Sequence, residues 1–317
     1  MGEEYRTRRK SRTYVPLALI LLVLLGAGVF ALKRGRQNEA HLDFMKVPEA
    51  DTNDPADENQ GGANTSRGRS APNKGGEEKS DPNEKPLQRP DHNHPAFTER
   101  VDERERMVAY DIKNRGVNDP NVLGAMRTVP RHAFVRRWDL ERAYANHPLP
   151  IGLNQTISQP YIVAYMTEYL ELDANSKVFE VGTGSGYQAA VCAEIAREVY
   201  TVEILEKLAA SAKQRLDELG YRNVRVRHAD GYFGWEDKAP FDAIIITAAA
   251  GLVPPPLIEQ LKPGGRMILP LGSPYGSQWL VLITKDDKGE VRSRSLIPVR
   301  FVPMTGRAME AEGPSGK

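Results

Sequence analysis

Three places along the chain combine residue types suited to holding a nucleoside. The first is Glu180-Val181-Gly182-Thr183-Gly184-Ser185-Gly186-Tyr187, where an apolar run gives way to glycines and then to an alanine-rich stretch. Glycines there let the backbone turn sharply and admit a ligand close to the main chain. The second is Glu203, twenty-one residues beyond Gly182 and at the end of the next apolar run. A carboxylate at that position can accept hydrogen bonds from a ribose diol. The third is Asp230-Gly231, past a further run, where the acid could bond an adenine amino group. Dinucleotide sites favour G-x-G-x-x-G, whose helix N-terminus carries a pyrophosphate. Here the glycines read G-x-G-x-G with no phosphate-binding lysine after them. A nucleoside without phosphates, S-adenosyl-L-methionine, fits this set better: Gly182, Thr183, Gly184, Ser185, Gly186, Glu203, Asp230 and Gly231. The competing reading is a structural turn followed by two surface acids.

Upstream lies Gln155-Thr156-Ile157-Ser158-Gln159-Pro160-Tyr161, a polar stretch closed by a proline directly before the apolar Ile162-Val163-Ala164-Tyr165-Met166. A serine nucleophile needs a base in reach with an oriented partner behind it. None of the six histidines (His41, His92, His94, His132, His147 and His228) falls in a triad or metal-ligand spacing, so no metal is expected. Ser158 is therefore a candidate hydrogen-bond donor rather than a nucleophile. Thr156 and Ser158 could also cap a helix beginning near Pro160, and the two roles are compatible.

The elements needed to position these residues can be read from periodicity. Helices are expected over 102–114, closed by Gly116, over 119–128 with Pro120 in the first turn, and over 162–170. Prolines 130, 148 and 150 mark an irregular connection between the second and third. From Val178 onward the pattern alternates. Short strands at 178–181, 199–202, 224–226, 241–247 and 266–269 are separated by helices at 187–196, 205–219 and 254–261. Such alternation implies right-handed crossovers and a mostly parallel sheet. Runs at 279–284 and 290–301 flank Asp286-Asp287-Lys288-Gly289, a turn cluster that predicts a closing antiparallel hairpin. The expected fold is α/β, a Rossmann-like methyltransferase sheet with N-terminal helices.

Composition varies along the 317 residues. Between Met45 and Ala96 there is no aromatic residue, and Val47 and Leu87 are the only branched aliphatics, too few to offset the entropy of ordering. The expected organisation is a basic N-terminus with a hydrophobic helix over 1–36, a disordered linker over 37–97, a catalytic domain over 98–305 and a flexible tail over 306–317. The formal net charge of +1 gives no bulk field that would draw the protein to nucleic acid. Cys192, the only cysteine, excludes an intramolecular disulfide and sits in an apolar pattern that suits a buried hydrophobe. Val15–Leu32 holds eighteen uncharged residues between basic flanks. At ~1.5 Å per residue they span about 27 Å, enough for a hydrocarbon core. A single-pass membrane anchor is expected, with a cytoplasmic location or export after signal cleavage as alternatives.

Taken together, Pro148-Leu149-Pro150-Ile151-Gly152, the 155–161 stretch, Glu180–Gln188, Phe241–Ala249 and Val299-Arg300-Phe301-Val302-Pro303 resemble the protein-L-isoaspartate (D-aspartate) O-methyltransferase family. Val129–Val135 adds to the match, and the likeness runs from about Arg104 to Met304. The glycine loop is common to many methyltransferases, whereas Thr-Ile-Ser-Gln-Pro is specific to this one. The resemblance implies a methyl transfer from S-adenosyl-L-methionine to the free α-carboxylate of isoaspartyl residues. It places Ser158 at the active site, brings Gln155, Thr156 and Ile157 to the cofactor, and sets Val299 and Arg300 beside the peptide groove, where Arg300 could instead be in a surface ion pair. Partners would be damaged proteins and peptides, with no nucleic acid, and the enzyme would be a membrane-tethered monomer. Family members usually lack a segment like residues 1–100. Alternatives are a methyltransferase acting on another substrate class and a non-catalytic nucleotide-binding module.

Overall fold

A computed structural model describes Gln88 and residues 90–311, except Pro274. The expected hydrophobic helix and most of the expected linker lie outside the described residues. Among the described residues no helix is long and apolar enough to cross a membrane.

The described residues include the last part of the expected linker. His94 caps the turn Pro95–Phe97 by accepting from the Ala96 N–H, and Ala96 and Phe97 are buried. Phe97 packs against Tyr221, while His92 contacts the Glu194 carboxylate at 2.9 Å. Here one phenylalanine and one imidazole find long-range partners that local composition does not reveal.

Helix α1 spans Val101–Arg106 and continues in a wider turn, Met107–Ile112, before a tight turn ends at Gly116 with φ +99°. The wide turn places Met107 and Ile112, five residues apart, in the core together. Helix α2, Pro120–Thr128, starts where the Asp119 carboxylate accepts from the Val122 N–H at 2.9 Å. Two short strands then appear where the prolines predicted an irregular path: β1 (Leu149–Gly152) pairs antiparallel with β2 (Gln155–Ile157). Their turn runs through Gly152, Leu153 and Asn154, all with positive φ. Pro148 and Pro150 tolerate this because a two-stranded ribbon consists only of edges. Helix α3 spans Pro160–Tyr169.

The remaining elements alternate as expected: β3 (Lys177–Val181), α4 (Tyr187–Ile195), β4 (Glu198–Glu203), α5 (Glu206–Glu218), β5 (Val224–His228), β6 (Phe241–Ile246), α6 (Pro255–Gln260), β7 (Leu261–Gly272), β8 (Gln278–Lys285) and β9 (Val291–Val299). The sheet order is β5-β4-β3-β6-β7-β8-β9, parallel through β7 and antiparallel for β8 and β9. Both faces of the central strands are covered, as their unbroken apolar runs require. Val178, Val199, Ile245 and Ile268 share a core with Val163, Met166 and Val191; Phe179, Phe241, Ile244 and Met267 share the other with Leu257. Phe179 and Phe241 stack at 5.0 Å. Burying each such ring stabilises by about 1.5–3 kcal/mol.

The expected tail over 306–317 is described as far as Ala311. Helix α7 covers Arg307–Ala311, with Ala308 buried and the Arg307 N–H donating to Asp230 Oδ2 at 2.7 Å. Strand order reverses at β3, with β4 and β5 on one side and β6 and β7 on the other, so a crevice opens between the carboxyl ends of β3 and β6.

Candidate active site

The glycine loop emerges from β3 into this crevice. Gly182, Gly184 and Gly186 have φ of +93°, +53° and +90°, backbone that other residues adopt only under strain. A Cβ on Gly182 would stand 2.5 Å from Thr247 Oγ1, whose hydroxyl donates to the Gly182 carbonyl at 2.7 Å. The Gly184 N–H donates to Glu203 Oε2 at 2.8 Å, and the Leu205 N–H donates to Oε1 at 3.0 Å. Beneath the loop, Thr183 and Thr201 hydroxyls meet at 2.6 Å, and Thr201 donates to Glu180 Oε2 at 2.5 Å. Glu180 is fully buried, and that burial raises its carboxyl to about 8, helped by the nearby Glu203 charge and opposed by the Thr201 bond. It therefore stands protonated at neutral pH, an acid that braces the loop without carrying charge.

Beside the loop is a narrow recess lined by Gln155, Thr156, Gly182, Gly184, Glu203, Gly231 and Thr247, with Ile204, Leu205 and Met304 at its edge. Among the described residues no Lys or Arg lines it. A phosphate would find no counter-charge here, whereas Glu203 retains lone pairs for a diol, so the donor set suits a nucleoside free of phosphate. The enclosed part is only about 60 Å³, smaller than a nucleoside, so binding must use its open side as well. Met304 and Thr305 of the C-terminal segment also line the recess, and Gly306 packs so close to Ile204 and Asp230 that a Cβ there would collide with both.

A second, larger cleft of about 500 Å³ adjoins the recess. Thr156, Thr247 and Val302 line both. Pro148, Ser158, Gln159, Ile162, Ser277 and Pro298 to Phe301 complete its walls. The turn carrying Ser158 is held by Asn146, whose carbonyl accepts from Gln159 Nε2 at 2.9 Å and whose side-chain oxygen accepts from the Tyr161 N–H at 3.1 Å. Ser158 itself is half-buried and its hydroxyl bonds to none of the described residues. Val302 reaches Thr247 because Ala249 donates to the Val302 carbonyl at 2.8 Å and accepts from the Met304 N–H at 2.7 Å. Among the described residues the cleft wall holds no Asp, Glu or His, and Arg300 is its single charge.

The residues expected to form the site divide into those that line it and those that support it. Gln155, Thr156, Ser158, Gly182, Gly184, Glu203, Gly231, Val299 and Arg300 line one cavity or the other. Ile157, Thr183, Ser185 and Gly186 do not. Ile157 is core, Thr183 bonds Thr201, Ser185 Oγ accepts from the Tyr187 N–H, and Gly186 packs on Leu216. Asp230 also stands outside the lining, its two oxygens accepting from the Tyr232 and Arg307 N–H groups. Arg300 is exposed and in no ion pair with a described residue. Sequence reasoning missed Thr247 and Val302, the shared wall; the one usable signal was a hydroxyl directly after the apolar run of β6. His132 lies away from the cavities, held by Tyr144 at 2.7 Å, with its pKa lowered by burial. Burial pushes the Cys192 thiol up to about 12, so it is inert. Among the described residues no cluster of His, Cys, Asp or Glu could hold a metal.

Comparison with known proteins agrees with this geometry. Residues 102–309 match the family described as protein-L-isoaspartate(D-aspartate) O-methyltransferase. Protein-L-isoaspartate O-methyltransferase 2 of Syntrophobacter fumaroxidans is 59% identical over 188 residues, covering 59% of this chain and 76% of that protein. Protein-L-isoaspartate O-methyltransferase 1 of Nitrosospira multiformis is 57% identical over 205 residues, covering 64% and 87%. Among solved structures, a protein-L-isoaspartate O-methyltransferase aligns with a TM-score of 0.59 at 30% identity, covering 65% of this chain and 67% of its own. A beta-aspartate methyltransferase (PCMT) from Plasmodium falciparum, in complex with S-adenosyl-L-homocysteine, aligns with a TM-score of 0.55 at 25% identity over 64% of this chain and 98% of its own. The glycine loop braced on Glu203, the adjoining cleft free of acids and the match across 102–309 converge: the chain belongs to the protein-L-isoaspartate(D-aspartate) O-methyltransferase family.

Proposed function

We propose that this protein methylates the free α-carboxylate of L-isoaspartyl residues in damaged proteins, with S-adenosyl-L-methionine as donor, and that Ser158 positions the acceptor. The observation that carries the assignment of roles is the shared wall of Thr156, Thr247 and Val302, which sets a nucleoside recess directly against a cleft rich in hydrogen-bond donors and free of acids. When bound, the cofactor supplies an electrophilic methyl group on a sulfonium. The acceptor carboxylate is already an anion at neutral pH, so no general base is required, and the cleft contains none. Ser158, with its unengaged hydroxyl, can donate a charge-assisted hydrogen bond to that anion, and Arg300 adds a counter-charge at the rim. The turn fixed by Asn146 and Pro160 keeps the hydroxyl in place, so little reorganisation is needed. Gln155, Thr156 and Glu203 would hold the cofactor from the recess side.

A methyl-transfer assay comparing an isoaspartyl peptide with its normal aspartyl twin tests this reading. Transfer to the isomer alone is expected; equal labelling of both would move the substrate class elsewhere.

Residues 15–32 further support a membrane tether for this catalytic unit, given eighteen uncharged residues between basic flanks. Removal of residues 1–36 should release the enzyme from the membrane fraction, and retention there would refute the tether. The enzyme is proposed to act as a monomer; sedimentation measures it.

A further inference from the structure

We propose that Trp279 and Tyr275 form an apolar platform at the rim of the acceptor cleft, which recognises a bulky apolar side chain one or two residues from the isoaspartyl group. The inference rests on the methyl-transfer reading above and adds a specificity determinant to it. Trp279 lies on β8, an interior strand, yet is 51% exposed. Its cross-strand partners are Leu271 on β7 and Pro298 on β9, so three apolar residues stand in one row across the sheet. Pro298 is a wall of the acceptor cleft, and so is Ser277, two residues before Trp279. At ~4.8 Å between strands and ~3.4 Å per residue of an extended peptide, the row begins within reach of the nearest flanking side chains.

Tyr275, 73% exposed, occupies the turn just before Ser277. The fully buried Gln278 fixes that turn, donating to the Ser273 and Gly276 carbonyls at 2.7 and 3.1 Å. Its oxygen accepts from the N–H of Phe301, a residue of the cleft wall, at 2.9 Å. The platform and the cleft are therefore held in register by one side chain. The other strongly exposed tryptophan, Trp138, lies under the Arg136 guanidinium at 4.9 Å. Trp279 and Tyr275 have no ring or cation partner among the described residues. Two exposed aromatics without ring or cation partners, on the strand and turn that carry the cleft residue Ser277, match an apolar flank better than a charged one.

The test uses two isoaspartyl peptides that differ only in carrying leucine or glycine at the positions flanking the isomerised residue. The wild-type protein should favour the leucine peptide in kcat/KM by roughly fivefold to tenfold, the scale of burying part of one apolar side chain, with the difference in KM. Trp279→Ser should bring the ratio close to one, Tyr275→Ser should lower it partly, and Trp279→Phe should restore it. Absence of a preference in the wild type, or a preference that survives Trp279→Ser, overturns the platform. If the wild type methylates neither peptide, the methyl-transfer reading fails and the platform falls with it.

Discussion

The two halves of the site are built on opposite principles. Around the glycine loop the polar groups are partnered by the protein itself: Thr247 on the Gly182 carbonyl, Glu203 on the Gly184 N–H, Thr183 on Thr201 and Thr201 on Glu180. Across the shared wall, Ser158 and Arg300 stand in the larger cleft with no protein partner among the described residues. A fixed nucleoside can be met by a cradle whose shape is set before binding, because the same atoms return in every turnover. Damaged proteins bring a different sequence each time, so the cleft itself meets what is common to them, a carboxylate and an extended backbone, and leaves its donors open, while any side-chain preference falls to its rim.

The comparison would be broken most severely at the loop. Gly182→Ala adds a Cβ at φ +93° and 2.5 Å from Thr247 Oγ1. Backbone strain and the displaced hydroxyl together should weaken S-adenosyl-L-homocysteine binding by roughly a hundredfold, as measured by calorimetry. Unchanged affinity would show that the loop is not a preformed cradle.

Ser158→Ala should leave that affinity as it is and reduce kcat/KM for an isoaspartyl peptide by about ten- to a hundredfold, the worth of one hydrogen bond to a charged group. A loss of cofactor binding instead would place Ser158 on the wrong side of the wall.

The smallest effect should come from Glu180. Its carboxyl is raised to about 8 by burial, so between the ordinary glutamate value and about 8 the folded protein holds a proton that the unfolded chain releases. Stability contributed by this group is therefore present at low pH and declines as pH rises through that window. Glu180→Gln removes the titration. The melting temperature of the variant should gain on the wild type as pH goes from 5 to 8, and parallel curves would refute the protonated brace.

Much of this was legible in the linear chain, and for local reasons. Strand and helix periods from Val178 onward, the glycines of 182–186 and the acid at 203 are short-range signals, so the parallel sheet with its terminal hairpin and the cofactor side were readable. The ribbon of β1 and β2 was not, because Pro148 and Pro150 argue against strands until it is seen that neither strand has a second neighbour. Thr247 and Val302 were likewise hidden: their meeting depends on Ala249 pairing with residues 302 and 304, some fifty positions later.

By itself, then, the sequence determined the order of elements from Val178 onward, the class of fold and the chemical type of the cofactor, since these follow from side-chain periodicity and from what glycine and carboxylate can do within a few residues. Tertiary structure alone decided which polar groups are engaged inside the protein and which stand open. Glu203 and Asp230 each accept one backbone N–H on either oxygen, whereas Ser158 bonds to none of the described residues. That distinction depends on contacts between residues far apart in the chain, and no local pattern carries it.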